Sequence, residues 1–329
     1  MRTLCFIFFL MLIAETGLYS QPCCGAIAGG MGTAGARMGL GTAAPGNFQM
    51  QFAYDFNYMD RLYDGTVRLE NNDLIRVIHT GVLEVNYGIS RRLSVAAMGA
   101  YTGQEIGSRR IDGSRQVDYI WGFGDIILMA KYRLMNPLAW SGWEVAAGIG
   151  PKLPTGSYRL AGSEGEEFGM EIQPGTGSFD GISWLSISKT HLFIPNLNLR
   201  SGVTFRYAGK NTGYQGSRVY DFGNEIQASA GLSYSFYAGI NWDLFGFTRY
   251  RYQGTDMLDG DRVETIGGQW LFASPGIGAA VTPNLSLMVL ADMPLYHDIK
   301  GPQLTSSFRV SAGIVYNISA RQTVTLANH

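Results

Sequence analysis

Cysteine, charge and long apolar runs are all scarce in this sequence, and each shortage removes a class of protein. Of 329 residues only three are cysteine, Cys5, Cys23 and Cys24, so no disulfide framework can hold the chain together. Charged residues make up 16% and the formal net charge is -1. No basic face is available to replace counterions around phosphates, which excludes nucleic-acid binding. Histidine occurs four times, at His79, His191, His297 and His329, too sparsely for a metal or catalytic cluster. After the N-terminal segment no apolar run reaches the roughly eighteen residues a membrane-spanning helix needs. A membrane could be crossed only by strands.

The sequence is rich in glycine (44 residues) and aromatics (12%), a mixture that fits a long β structure better than a cytosolic enzyme. Arg2 followed by the apolar Cys5 to Ile13 and a more polar stretch to Ser20 reads as a secretory signal over residues 1–20. Residues 21–45 form a Gly-rich leader, either a periplasmic tail or a small lumenal plug. Cys23 and Cys24 within it invite lipidation or a soft-metal site. The residues before Cys23 match a lipoprotein cleavage site poorly, and two adjacent thiols are a thin ligand set, so the expectation is no metal and no cofactor. Gly30-Met31-Gly32-Thr33-Ala34-Gly35 matches G-x-G-x-x-G only formally, because no strand precedes it and no crossover helix follows.

From Asn47 the pattern has period two, as when alternate side chains of a strand face opposite ways. Phe48, Met50, Phe52, Tyr54, Phe56 and Tyr58 fall on one face, against Asn47, Gln49, Gln51, Asp55 and Asn57 on the other. Leu197 to Tyr207, Glu225 to Phe236, Leu285 to Leu295 and Phe308 to Ile318 repeat it. About twelve such segments occupy residues 46–318, one of them running unbroken over 119–134. Connections alternate long (Asp60 to Ile78, Gln104 to Asp118, Thr155 to Thr176, Lys210 to Phe222, Gly254 to Ile266, and the shorter Asp298 to Gln303) with short. Aromatics such as Tyr58, Tyr101, Trp140, Trp143, Tyr207 and Tyr252 gather near segment ends. Alternating loops and aromatic girdles predict an all-β, transmembrane antiparallel β-barrel of the bacterial outer membrane. An even strand number places both termini, including the tail at 319–329, in the periplasm.

Between Gly122 and Asp180 lie three short motifs: Gly124-Asp125-Ile126 with Lys131-Tyr132-Arg133-Leu134, then Gly150-Pro151-Lys152-Leu153-Pro154-Thr155-Gly156, then Gln173-Pro174-Gly175-Thr176-Gly177-Ser178 with Asp180. This set resembles outer-membrane barrels named for the meta-cleavage pathway of phenol degradation, and the Cys23-Cys24 pair before a Gly-rich leader resembles members from Bacteroidetes-type bacteria. The resemblance implies a channel or uptake role for small, apolar or aromatic molecules, and it carries no catalytic residues. Outer-membrane lipid, a small-molecule cargo and the barrel-assembly machinery are the partners it implies.

The polar faces collect two balanced sets of charge. Asp55, Glu84, Asp125, Glu144, Asp180, Glu225, Asp243 and Asp292 oppose Lys131, Arg133, Lys152, Arg200, Arg206, Arg249, Arg251 and Arg309. A selective pore is expected to show rings of one sign, so the balance predicts an interior laced with ion pairs. Arg249 and Arg251 with Phe245 and Phe247, and Trp184 near Asp180, could also line a path for an aromatic or acidic molecule through cation-π contacts. The competing readings are a non-transporting barrel that binds partners through its loops and an outer-membrane lipid hydrolase. No serine is marked as partner to a histidine, so no enzyme is expected.

Overall fold

The computed structural model describes residues 42–71, 73–109, 114–135, 142–162 and 165–319. The signal segment, Cys23, Cys24, the Gly30–Gly35 motif, Trp140 and residues 320–329 of the tail lie outside the described residues.

Seventeen strands follow one another among the described residues. The first are β1 (Phe48–Gly65), the two-residue β2 (Val67–Arg68), β3 (Ile75–Gly88) and β4 (Leu93–Arg109). Next come β5 (Arg115–Phe123), β6 (Ile126–Met135), β7 (Trp143–Leu153), β8 (Asp180–Lys189) and β9 (Leu197–Tyr207). Short β10 (Lys210–Tyr214) and β11 (Arg218–Asp221) precede β12 (Glu225–Ala238) and β13 (Ile240–Gln253). Short β14 (Met257–Leu258) and β15 (Asp261–Arg262) precede β16 (Gly268–Ala280) and β17 (Leu285–Ile318).

Eleven of these elements form a closed ring in the order β1-β3-β4-β6-β7-β8-β9-β12-β13-β16-β17, with β17 returning to β1. All its pairings are antiparallel. A ring of antiparallel neighbours needs an even number of crossings, and the 34-residue β17 supplies the missing one. Its first half pairs with β16 and its second with β1, while Asn317 N donates to Asn284 O at 2.9 Å. The ribbon therefore doubles back, at Gly301, whose φ of +66° suits a tight hairpin. The ring has twelve crossings, as the sequence pattern predicts.

Closure leaves no strand edge in lipid and satisfies the backbone internally. The outer face carries the predicted apolar set: Phe48, Phe52 and Tyr54 on β1, Tyr119 and Trp121 on β5, and Leu128 on β6 are all exposed. Their polar neighbours Gln51, Asp55, Gln104 and Lys131 are buried in the interior.

Three sequence expectations need correction. The segment 119–134 is two strands: β5 and β6 are interrupted at Gly124 and Asp125, and the outward face changes from odd positions (Val117 to Phe123) to even ones (Ile126 to Leu134) across the gap. The long loop placed at Gln104 to Asp118 is mostly strand, since β4 and β5 continue as a paired ribbon as far as Arg109 and Arg115. Likewise β1 extends past Asp60 to Gly65. These ribbons exceed the roughly ten residues a tilted strand needs to cross the bilayer and stand above it. There a second, four-stranded sheet, β10-β11-β14-β15, is added from the intervening loops.

Candidate functional site

The three short motifs converge on one carboxylate. Asp125 accepts from Gly156 N (2.9 Å), Thr176 N (3.0 Å), Thr176 Oγ1 (2.7 Å) and Lys152 Nζ (2.6 Å). Backbone N–H groups that would otherwise extend a ladder are turned onto a side chain, and the strand breaks where that happens. The glycines permit the approach: a Cβ on Gly156 would sit 2.7 Å from Gly124 C, and one on Gly175 2.7 Å from Gly156 C. The connection 154–179 is thereby drawn into the barrel mouth. Arg76 donates to Glu171 O at 3.1 Å and Gln104 to Ile172 O at 2.8 Å, so the far side of the connection is held as well.

From Asp125 a chain of ion pairs passes from strand to strand around the inner wall. Lys152 lies 2.6 Å from Asp125 and 3.2 Å from Asp180, Arg206 lies 3.6 Å from both Asp180 and Glu225, and Arg251 closes on Glu225 at 2.6 Å. The Arg251 guanidinium then lies 5.1 Å from the Trp270 ring. Slightly nearer the periplasm, Arg249 pairs with Asp292 at 2.5 Å and Arg309 with Asp55 at 3.0 Å. These charges are almost wholly buried, so each survives only because a partner of opposite sign stands on a neighbouring strand or, for Arg249 and Asp292, across the intervening β16.

Below this belt the interior is apolar. Reading inward-facing positions toward the periplasm, β13 runs Arg251, Arg249, Phe247, Phe245, β8 runs Asp180, Ile182, Trp184, Ser186, and β6 runs Ile127, Met129, Lys131. The apolar members form two buried clusters. One contains Met98, Ile127, Met129 and Trp184, the other Ala53, Phe245, Phe247 and Leu290, and Val82 packs against both. Polar pairs resume beneath: Lys131 with Glu84, and Arg133 with Glu144 at 3.2 Å. Arg133 also donates to Thr42 O at 3.1 Å, which fixes the described end of the leader at the periplasmic rim. Arg200 and Asp243 line a cavity of about 230 Å³ beside Gln49 and Asn317 at the same end.

The wall has a defect beside the strand break. Pairing between β4 and the following chain lapses between Tyr101↔Phe123 and Met98↔Ile127, bridged by Gly124 N donating to Ala100 O at 2.8 Å. An apolar groove of about 810 Å³ opens there on the lipid-facing side, walled by Phe52, Leu83, Tyr101, Trp121 and Phe123. Its floor includes Gly81 and Gly99, and it reaches Met98, a member of the interior cluster. At its rim Tyr54 Oη and His79 Nδ1 are 2.7 Å apart, with Trp121 stacked on the imidazole.

The structure thus joins Asp125, Lys152, Asp180, Arg206 and Arg251 in one chain, and puts Arg249, Asp292 and Arg309 beside it. Lys131 and Arg133 lie below the apolar layer, Trp184 within it, and Arg200 at the periplasmic mouth. Sequence reasoning did not find Arg76 and Gln104, which tether the 154–179 connection, nor Asp256, which accepts from Tyr220 Oη (2.9 Å) and Gly223 N (2.7 Å) in the outer loops. The groove was missed too. Its only local signs are glycines at outward positions and the phase change at Gly124.

A closed antiparallel barrel with an apolar outer band and an ion-paired interior is a transmembrane β-barrel of the outer-membrane type. The family described as "MetA-pathway of phenol degradation" matches residues 41–314, and the chain belongs to that family. Among solved structures it is similar to an outer membrane channel from Pseudomonas putida F1, with 14% identity, 84% of this chain and 97% of that one covered, and a TM-score of 0.65. Looser likenesses are the transport unit of the autotransporter AIDA-I from Escherichia coli (12% identity, 85% and 92% covered, TM-score 0.47) and the toluene transporter TbuX of Ralstonia pickettii (10%, 84% and 90%, TM-score 0.38). No curated protein sequence matches the chain.

Proposed function

We propose that this barrel admits small apolar or aromatic molecules through the outer membrane, and that they enter sideways through the wall groove. The observation that carries this reading is apolar adjacency at a thin place in the wall: Gly81 and Gly99 floor the lipid-facing groove, and Met98, next to Gly99 on the same strand, belongs to the mid-barrel layer. A polar solute descending the axis meets two apolar clusters and an ion-pair belt, whereas an apolar solute dissolved in the membrane meets no desolvation barrier at the groove. The barrel is read as non-catalytic: His79 is engaged by Tyr54 on the lipid side, and His297 by the Tyr63 ring at 4.0 Å. The seam between β1 and β17 is the kind of closure that the barrel-assembly machinery completes.

Gly99 gives the sharpest test, because a Cβ there meets nothing within 4 Å and a larger side chain can fill the groove without strain. Uptake of radiolabelled toluene at limiting concentration, by cells carrying wild-type or Gly99→Phe barrel, is expected to fall about tenfold in the variant, about 1.4 kcal/mol of added barrier. Equal rates, from equal amounts of barrel that keep the faster gel mobility of folded protein, would discard the lateral route.

A further inference from the structure

Inside the barrel, outward of Phe247 on β13, a cavity of about 70 Å³ opens within the ion-pair belt. Arg249 and Arg251 of β13 and Arg309 of β17 line it, together with Asp55 and Asn57 of β1. Each guanidinium has its own carboxylate, yet of these only Asp55 reaches the cavity. Asp292 stands beyond β16, where Ser274 Oγ donates to it at 2.5 Å, and Glu225 stands on β12, where Gln227 Nε2 donates to it at 2.9 Å. Three cations and one carboxylate therefore line the space, and its potential is positive although the pairs as a whole are neutral. The atoms left open are donors. Arg249 gives Nη2 to Asp292 and has Nε enclosed by protein, whereas its Nη1 is not enclosed and has no acceptor among the described residues. Asn57 Oδ1 accepts from Ser306 Oγ at 2.6 Å, which leaves Asn57 Nδ2 as a second donor with no acceptor among the described residues. The Phe272 ring lies 4.3 Å from Arg249 Cζ and the Trp270 ring 5.1 Å from Arg251 Cζ, so neither head swings away without losing a cation-π contact.

We propose that this cavity binds one small monovalent anion, such as chloride or nitrate, with Arg249 Nη1 and Asn57 Nδ2 as its donors. Donors already fixed in place, one of them charged, replace part of the ion's hydration shell. One water occupies roughly 10–15 Å³ of such space, so the cavity takes a single ion with a few waters and excludes a ring or an acyl chain. An anion arriving from the outer mouth stops here, because Phe247 and Phe245 beneath it offer no polar group. This goes beyond the lateral route for apolar cargo, because the site can fill whether or not the groove conducts.

Titration of the barrel, solubilised in a non-ionic detergent, with sodium chloride tests it, read as broadening of the chloride NMR line. Broadening is expected to saturate in the wild type and to be reversed by nitrate. Asn57→Asp keeps the size of the side chain and the acceptor for Ser306 but turns a donor into a negative charge, and should weaken chloride binding at least about tenfold. The double variant Arg249→Met, Asp292→Asn removes one donor without changing the net charge, and should weaken it about as much, whereas general attraction of anions to the barrel would be unmoved. Gly99→Phe should bind chloride as the wild type does, which separates failure here from failure of the lateral route. Broadening that never saturates, that nitrate does not reverse, or that persists undiminished in either cavity variant, from protein of folded mobility, would overturn the assignment.

Discussion

Asp125 and Asp256 are buried carboxylates with opposite consequences. Asp125 is held by a lysine and two backbone N–H groups, so its charge is matched. Asp125→Asn should leave Lys152 with Asp180 alone and cost about 2–4 kcal/mol, read as a lower temperature for loss of the folded mobility on gels. Asp256 accepts two hydrogen bonds, yet burial dominates and pushes its pKa up to about 6 from 3.8. Burial also raises the neighbouring Glu171 and Tyr220. A carboxyl whose pKa is higher folded than unfolded stabilises fully below the unfolded value, and that contribution is lost as pH rises through the folded one. The contacts joining the connections 208–224 and 254–267 should therefore be tightest near pH 4 and loosen through about pH 6, by on the order of 3 kcal/mol. Hydrogen exchange of these segments between pH 4 and 8 checks this. Asp256→Asn, which cannot ionise, should flatten the profile.

Among the elements, the strand break and the inward connection 154–179 are one construction. The connection leaves β7, crosses the barrel mouth and is gripped on the far side by Arg76 and Gln104, themselves bonded at 2.8 Å. Gln104→Ala removes one grip and should expose Arg159 to trypsin several-fold faster, with the barrel itself still resistant. Strands and their faces were legible in the sequence because period-two alternation is a local property that every membrane-facing strand must obey. The break was half legible: Tyr119, Trp121 and Phe123 are in one phase and Ile126, Leu128 and Tyr132 in the other, yet the run reads as continuous strand unless the slip is noticed. Its cause was not legible, since the N–H groups that Asp125 captures lie 31 and 51 residues away. Balanced charge correctly implied pairing but not who pairs with whom, because partners are set by register between strands. Arg251 meets Glu225, 26 residues distant, rather than any nearer acid.

At the scale of the whole barrel, the layering of ion-pair belt, apolar clusters and polar lower chamber should make the resting protein a poor ion conductor. Planar-bilayer recordings are expected to be nearly silent for the wild type and to show stepwise conductance once Trp184→Ala and Phe247→Ala thin the apolar layer. A large conductance in the wild type would mean that this layer does not seal. The seam has a different consequence. It joins Phe48 to Ile318, so the first strand to emerge in synthesis finds one of its two neighbours only when the last has been made. Until then both outermost strands are unpaired edges, open to pairing with another chain, and closure over so long a loop is slow. Such a chain is most vulnerable to aggregation in transit, and removing even its final strand should be felt as failure to assemble at all.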